Sequence, residues 1–111
     1  MKFKKTFITD PIFGRNFWFC VGDKYEFSDF VFKRTGFIVN NQNEIDGKNV
    51  MTETAQFMWV QKKDMPVFLH ELMHRVAVNL NTIGIHLDDS TDEVYAFYFE
   101  FLYKECIKLL T

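Results

Sequence analysis

The segment from Asp64 to Asn81 constrains this chain most, because it predicts one long helix with two chemically different faces. Asp64 is a suitable N-cap, and Pro66 stands in the opening turn, where its missing N–H costs no hydrogen bond. Apolar side chains recur at helical spacing and form one broad arc of Phe68, Leu69, Leu72, Met73, Val76, Ala77 and Leu80. Three polar residues lie on the opposite side of the helical wheel, namely His70, Glu71 and His74. We therefore expect the arc to pack on a sheet and the polar side to stay accessible.

The polar side carries the sequence His70-Glu71-Leu72-Met73-His74, which has the residue order of a zinc-hydrolase core. Two histidines four positions apart lie about 40° apart around a helix, so both imidazoles can reach one metal ion. The glutamate after the first histidine can reach a metal-bound water without being a ligand itself. The spacing predicts that His70 and His74 bind Zn²⁺ and that Glu71 is the catalytic general base.

A catalytic zinc site needs a third protein ligand. The metzincin pattern would place a histidine six residues after His74, where this chain has Leu80, so that class is excluded. Glu93, at the start of the next predicted helix, is our candidate third ligand. The stretch Ser90-Thr91-Asp92-Glu93 also reads as a capping box, in which Glu93 would only accept from a backbone N–H.

The stretch from Pro66 to Leu110 resembles small gluzincin-type metallopeptidase-like proteins of tailed phages and prophages. In that family a His-Glu-x-x-His helix precedes a glycine-containing loop, acidic residues and a helix that opens with a metal-binding glutamate. The loop here has Gly84 and the pair Asp88-Asp89, and the resemblance implies that Glu93 is the glutamate ligand. The layout is more distantly similar to the repressor-cleaving metallopeptidases of mobile elements.

Four further residues are candidates for supporting roles at the site. Many members of the family carry a tyrosine one turn after the ligand glutamate, where this chain has Phe97. Tyr95 or Tyr98 would then be the residue that stabilises the oxyanion, although tyrosines at such positions commonly belong to a core. His86 is a substitute ligand, a proton donor or an exposed histidine, and Asp88 is a turn residue or a hydrogen-bond partner of a zinc-binding histidine.

The first sixty residues predict a small sheet with one helix. Alternating or aromatic runs predict strands at Phe7–Thr9, Phe17–Val21, Phe37–Val39, Val50–Thr52 and Phe57–Val60, the last two as a hairpin. Tyr25 to Arg34 predicts a helix that stops at Gly36, and a final helix is expected from Thr91 to Leu110, antiparallel to the histidine helix. The expected fold is α+β: one zincin-like domain over 1–111, with a mixed or antiparallel sheet before the two C-terminal helices.

Composition limits the partners and the compartment. Hydrophobic residues make up 48% of the 111 residues, which is enough for one core, and the net charge of -2 without a long Lys/Arg run argues against nucleic acid. We find no apolar stretch that would make a membrane span or complete a signal peptide. Cys20 and Cys106 are expected to be reduced thiols, so we expect a cytoplasmic protein, in the bacterial host cytoplasm if a phage encodes it.

These observations predict a zinc-dependent hydrolase, most simply a small metallopeptidase acting on a peptide or protein. The substrate is expected to bind as an added strand near Phe57–Val60, because that predicted strand directly precedes the histidine helix. The alternative is a non-catalytic zincin-fold binding or virion-associated module, because 111 residues leave little chain for specificity pockets. The sequence makes no prediction of oligomeric state.

Overall fold

The computed structural model describes residues 2–40 and 46–111. In chain order the elements are β1 (Lys4–Ile8), β2 (Phe17–Val21), α1 (Lys24–Thr35), β3 (Gly47–Met51), β4 (Gln56–Val60), α2 (Met65–Thr82) and α3 (Asp92–Leu110). The α+β class, the early helix and the two C-terminal helices are therefore confirmed.

The four strands form one mixed sheet in the order β1-β2-β4-β3. Strands β1 and β2 pair antiparallel, as do β3 and β4, whereas β2 and β4 run parallel. The predicted hairpin is confirmed as β3–β4. Helix α1 lies in the chain between the two antiparallel pairs, and the parallel contact joins those pairs into one sheet.

Alternation along the two central strands sends side chains to both faces of the sheet. Phe17, Phe19 and Val21 of β2 join a core with the apolar sides of α2 and α3. Cys20 of β2 and Trp59 of β4 join a second core, against α1. The molecule thus has three layers, with α1 on one face of the sheet and the C-terminal helices on the other.

Helices α2 and α3 pack antiparallel, as predicted. The ring of Phe68 near the start of α2 lies 5.9 Å from that of Tyr103 near the end of α3. Near the other end of α2, Asn79 Nδ2 donates to the hydroxyl of Tyr98 at 2.9 Å. Asp64 is the N-cap of α2 and accepts from the N–H of Val67, which confirms the predicted start of this helix.

Two predictions about strands are wrong. Residues 37–39 form no strand: Val39 packs in the α1-side core, while Phe37 and Ile38 are 44% and 78% exposed. Their β propensity has no effect without a neighbouring strand to pair with. The strand at Phe57–Val60 cannot accept an added peptide strand, because β4 pairs with β2 on one side and with β3 on the other.

Among the described residues, no helix is long and apolar enough to cross a membrane.

Candidate functional site

The two histidines of α2 lie together on an exposed part of the helix, as their spacing predicts. Nε2 of His74 is 3.2 Å from Nε2 of His70, and the ring centroids are 4.7 Å apart with the rings nearly perpendicular. Neighbouring ligands of a tetrahedral zinc, at Zn–N distances of about 2.0–2.1 Å, would have their nitrogens roughly 3.3 Å apart. The pair therefore fits two positions around one zinc ion.

The third predicted ligand does not join this pair. Glu93 is exposed in the first turn of α3, and the neighbouring Tyr95 hydroxyl donates to the carbonyl oxygen of Ile85, beyond the end of α2. Among residues 2–40 and 46–111, no group of three His, Cys, Asp or Glu side chains is placed to hold a metal ion. The described residues thus bring together two potential ligands, His70 and His74, and no third.

The capping box, which was the alternative role predicted for Glu93, is not formed either. Helix α3 begins at Asp92, with Thr91 as an N-cap that makes no side-chain capping bond. Within the described part of the chain, the Glu93 carboxylate accepts no hydrogen bond. It is an exposed acid near the positive end of a helix.

Glu71 is buried, although the helical wheel placed it on the accessible side. Glu71 is only 8% exposed. The Asn49 amide donates through Nδ2 both to Oε1 of Glu71, at 3.1 Å, and to the backbone carbonyl oxygen of Glu71, at 2.9 Å. Strand β3 comes close because it has Gly47 here: a Cβ on that residue would lie 2.7 Å from Cγ of Glu71. The wheel failed at this position because β3 covers this side of α2.

Arg75, one turn after Glu71, is fully buried and holds the polar interior together. Its Nε donates to Asn49 Oδ1 at 2.9 Å, and its Nη2 donates to the carbonyl oxygen of Phe57 at 3.0 Å. Its Nη1 donates to Gln56 Oε1 at 2.9 Å and to Asn79 Oδ1 at 3.3 Å. The Arg75–Asn49 bond fixes the amide orientation, so that Nδ2 is the group that faces Glu71.

The same network extends to the start of the chain. Tyr98 receives a hydrogen bond from Asn79 and donates to Oδ2 of Asp10 at 2.7 Å. Asp10 also accepts from the backbone N–H groups of Ile12, Phe13 and Arg15. Sequence reasoning missed this network, although Glu71, Arg75 and Asn79 stand at i, i+4 and i+8 and so predict a polar stripe on one side of α2.

Burial changes the ionisation of this network. The pKa of Arg75 is lowered from 12.5 to about 10, mainly because burial penalises the guanidinium charge. Arg75 therefore stays charged at neutral pH. The pKa of Tyr98 is raised, first by burial and then by its hydrogen bond to Asp10, so its hydroxyl remains a donor.

A shallow depression of about 400 Å³ joins the histidine helix to the edge of the sheet. Its lining includes His70 and Glu71 of α2 and Gly47 of β3. Gln61 N–H donates to the carbonyl oxygen of Asp46, so the backbone of Asp46 points toward β4. Backbone groups alternate in direction along a strand, so those of every second residue after Asp46 also point toward β4. The backbone groups of Gly47, Asn49 and Met51 consequently face the other edge, which pairs with no strand among the described residues.

The remaining candidates lie in other surroundings. His86 Nδ1 is 2.7 Å from Asn81 Oδ1 on an exposed loop. The Asp88 carboxylate accepts from the N–H groups of Ser90 and Thr91, and the hydrogen bonds from these two residues lower its pKa. Tyr95 and Tyr98 are both buried, as the core alternative predicts. The Tyr95 hydroxyl donates to the carbonyl oxygen of Ile85 in the loop after α2, and that of Tyr98 donates to buried Asp10.

Comparisons of the chain with protein-family models, with curated proteins and with solved structures found no match.

Proposed function

We propose that the protein is a zinc-dependent hydrolase of the peptidase type, with a zincin-like arrangement of helix and sheet edge. The observation that carries the proposal is the 3.2 Å separation of the His70 and His74 Nε2 atoms on an exposed part of α2. A coordinated zinc would polarise a scissile carbonyl and lower the pKa of its bound water toward ~7.

Glu71 is the residue of this chain that would move the proton. Its side chain shares a depression with His70, and one of its carboxylate oxygens accepts from Asn49 Nδ2. This bond limits the positions that the carboxylate can take. Such a carboxylate can accept a proton from the attacking water and deliver it to the leaving amine. Arg75 holds the Asn49 amide, and Asn49 in turn orients the base.

The proposed substrate is a peptide in extended conformation, bound along β3 rather than β4. The outward backbone groups of Gly47 and Asn49 can pair with such a peptide, as in strand addition. Gly47 also lines the depression that contains His70 and Glu71. A peptide on this edge would therefore pass beside both residues.

The decisive test is Glu71→Gln, assayed for bound zinc and for cleavage of a mixed peptide library. We expect zinc to be retained and cleavage to fall by about a hundredfold or more, because Gln cannot accept the proton. Glu100→Gln is the matched control, since Glu100 is an exposed glutamate paired with Lys104 on α3. A Glu71→Gln protein that binds zinc and cleaves at the wild-type rate would falsify the proposed mechanism.

The metal ligands are tested separately by zinc stoichiometry. His70→Gln and His74→Gln should each lose most of the bound zinc, because each removes one of two adjacent donors. His86→Gln is the control, because that histidine contacts Asn81 on a loop. Equal zinc content in all three variants would refute the assignment.

The second candidate is a non-catalytic zincin-fold module that acts in binding or in association with a virion. Two observations favour it: Glu71 is buried against Asn49, and the described residues assemble no three-ligand group. Elemental analysis of protein purified without chelators separates the candidates. Absence of zinc favours the binding module, and bound zinc without peptide turnover favours a structural or inhibitory role.

A further inference from the structure

A second groove, of about 740 Å³, lies at the end of the sheet where β1 ends and β2 and β4 begin. We call it the sheet-end groove and define it by Phe7, Asn16, Trp18, Lys33, Arg34 and Gln56, which line it together with Phe30 and several small residues. Its volume falls within the range of small-molecule sites, roughly 300–1,000 Å³. Neither the histidine pair nor Glu71 belongs to its lining.

Aromatic rings form one wall of the sheet-end groove. The rings of Phe7 and Trp18 have centroids 5.1 Å apart, and Phe7 remains 48% exposed. An exposed aromatic face next to a second ring offers a flat apolar surface to a planar ligand.

Arg34 supplies a positioned cation at this wall. Its guanidinium lies 4.4 Å from the centroid of the Trp18 ring and 5.7 Å from that of Phe30. This stacking holds the group in place. No acceptor within residues 2–40 and 46–111 receives a hydrogen bond from Arg34, so its donors are available. The neighbouring Lys33 forms an ion pair with Asp29 at 2.8 Å. Both side chains are exposed, and exposed ion pairs contribute little to stability.

The two amide side chains of the groove are also oriented as donors. Asn16 Oδ1 accepts from the backbone N–H of Asp10 at 2.7 Å, and Gln56 Oε1 accepts from Arg75 Nη1 at 2.9 Å. Because both oxygens are occupied, the amide NH₂ groups are the atoms left for a ligand. Of the described residues that line the groove, none carries a carboxylate.

We propose that the sheet-end groove binds a small molecule that has a planar ring joined to an anionic group. The ring would pack beside Phe7 and Trp18, and the anion, a phosphate or a carboxylate, would accept from Arg34 and the amides. The net charge of the chain is -2, so this cluster of donors does not follow from a basic composition. The proposal is independent of zinc and of hydrolysis.

The test is titration calorimetry of the full chain in EDTA, which removes metal from the histidine pair. The probes are adenosine monophosphate and indole-3-acetate, with adenosine and inorganic phosphate to separate the ring from the anion. We expect at least one ring-bearing anion to bind with a Kd of about 1 mM or tighter. Adenosine and phosphate should each bind more weakly than that compound. Adenosine monophosphate carries a phosphate and indole-3-acetate a carboxylate, so the two probes cover both kinds of anion.

Arg34→Gln and Lys24→Gln are the matched variants, because each removes one positive charge from α1. Lys24 lies at the other end of that helix, 5.2 Å from the ring of Tyr25. Arg34→Gln should weaken binding about tenfold or more, since a charge-assisted hydrogen bond is lost, and Lys24→Gln should leave it within about twofold. The proposal is overturned if neither ring-bearing anion binds, if phosphate alone binds as tightly, or if both variants weaken binding equally.

Discussion

Arg75→Met tests the claim that one buried guanidinium organises the interior beside the candidate site. Methionine has an apolar side chain of comparable length, so the substitution removes the charge and its donors while largely filling the space. Arg75 is 0% exposed, which means that water cannot replace it without a rearrangement of the surrounding layers. We expect the variant to be markedly less stable.

The magnitude follows from the bonds that Arg75 makes. Four acceptors lose their donor, on Asn49, Gln56, Phe57 and Asn79, and at about 1–3 kcal/mol each the gross loss is roughly 4–12 kcal/mol. Against this, burial lowers the pKa of Arg75 from 12.5 to about 10, so removing its charge recovers about 3 kcal/mol at neutral pH. The net loss is then roughly 1–9 kcal/mol, centred near 5 kcal/mol, which is a large share of the ~5–15 kcal/mol typical of a domain.

Urea unfolding measures this loss as a lower midpoint at unchanged slope. Arg34→Met is the matched control: that arginine is exposed and stacks on Trp18, so its loss should cost less than about 1 kcal/mol. Arg75→Lys should fall between the two, because one ammonium cannot reach all four acceptors. An Arg75→Met protein within about 0.5 kcal/mol of wild type would refute the reasoning.

Three further predictions concern other residues. If Glu93 is the third ligand, Glu93→Gln loses most of the bound zinc at neutral pH, with the helix content measured by circular dichroism retained. Zinc occupancy equal to that of the control Glu100→Gln would exclude Glu93 as a ligand. Gly47→Ala should destabilise by roughly 1–3 kcal/mol in thermal unfolding, because its Cβ would lie 2.7 Å from Cγ of Glu71, and a wild-type Tm would contradict that contact. Burial raises the pKa of the Cys20 thiol from 9.0 to about 12, so the stability that this thiol contributes is complete below pH 9 and is lost as the pH rises toward 12. Cys20→Ala should flatten this loss of stability in unfolding experiments between pH 9 and 12, and an identical pH slope in both proteins would count against the prediction.

Much of the secondary structure is predictable from the sequence, because its signals are local. The N-cap at Asp64 and the spacing of Phe68 and Leu72 predict α2 with its start correctly placed. The strands at β2 and β4 follow from aromatic and β-branched runs. The run at Phe37–Val39 has the same composition, yet it forms no strand, because pairing requires a partner that composition does not specify.

At the candidate site, local helix geometry is enough to bring His70 and His74 together, since residues four apart on a helix are neighbours whatever surrounds them. The burial of Glu71 against Asn49 is a result of the tertiary structure, because it depends on a strand 22 residues earlier in the chain. The tertiary structure also keeps Glu93 apart from the two histidines, because the antiparallel packing of α2 and α3 sets which of their turns face each other. Helical periodicity is a property of neighbouring residues, whereas burial and the grouping of distant side chains depend on which layers the whole chain brings together.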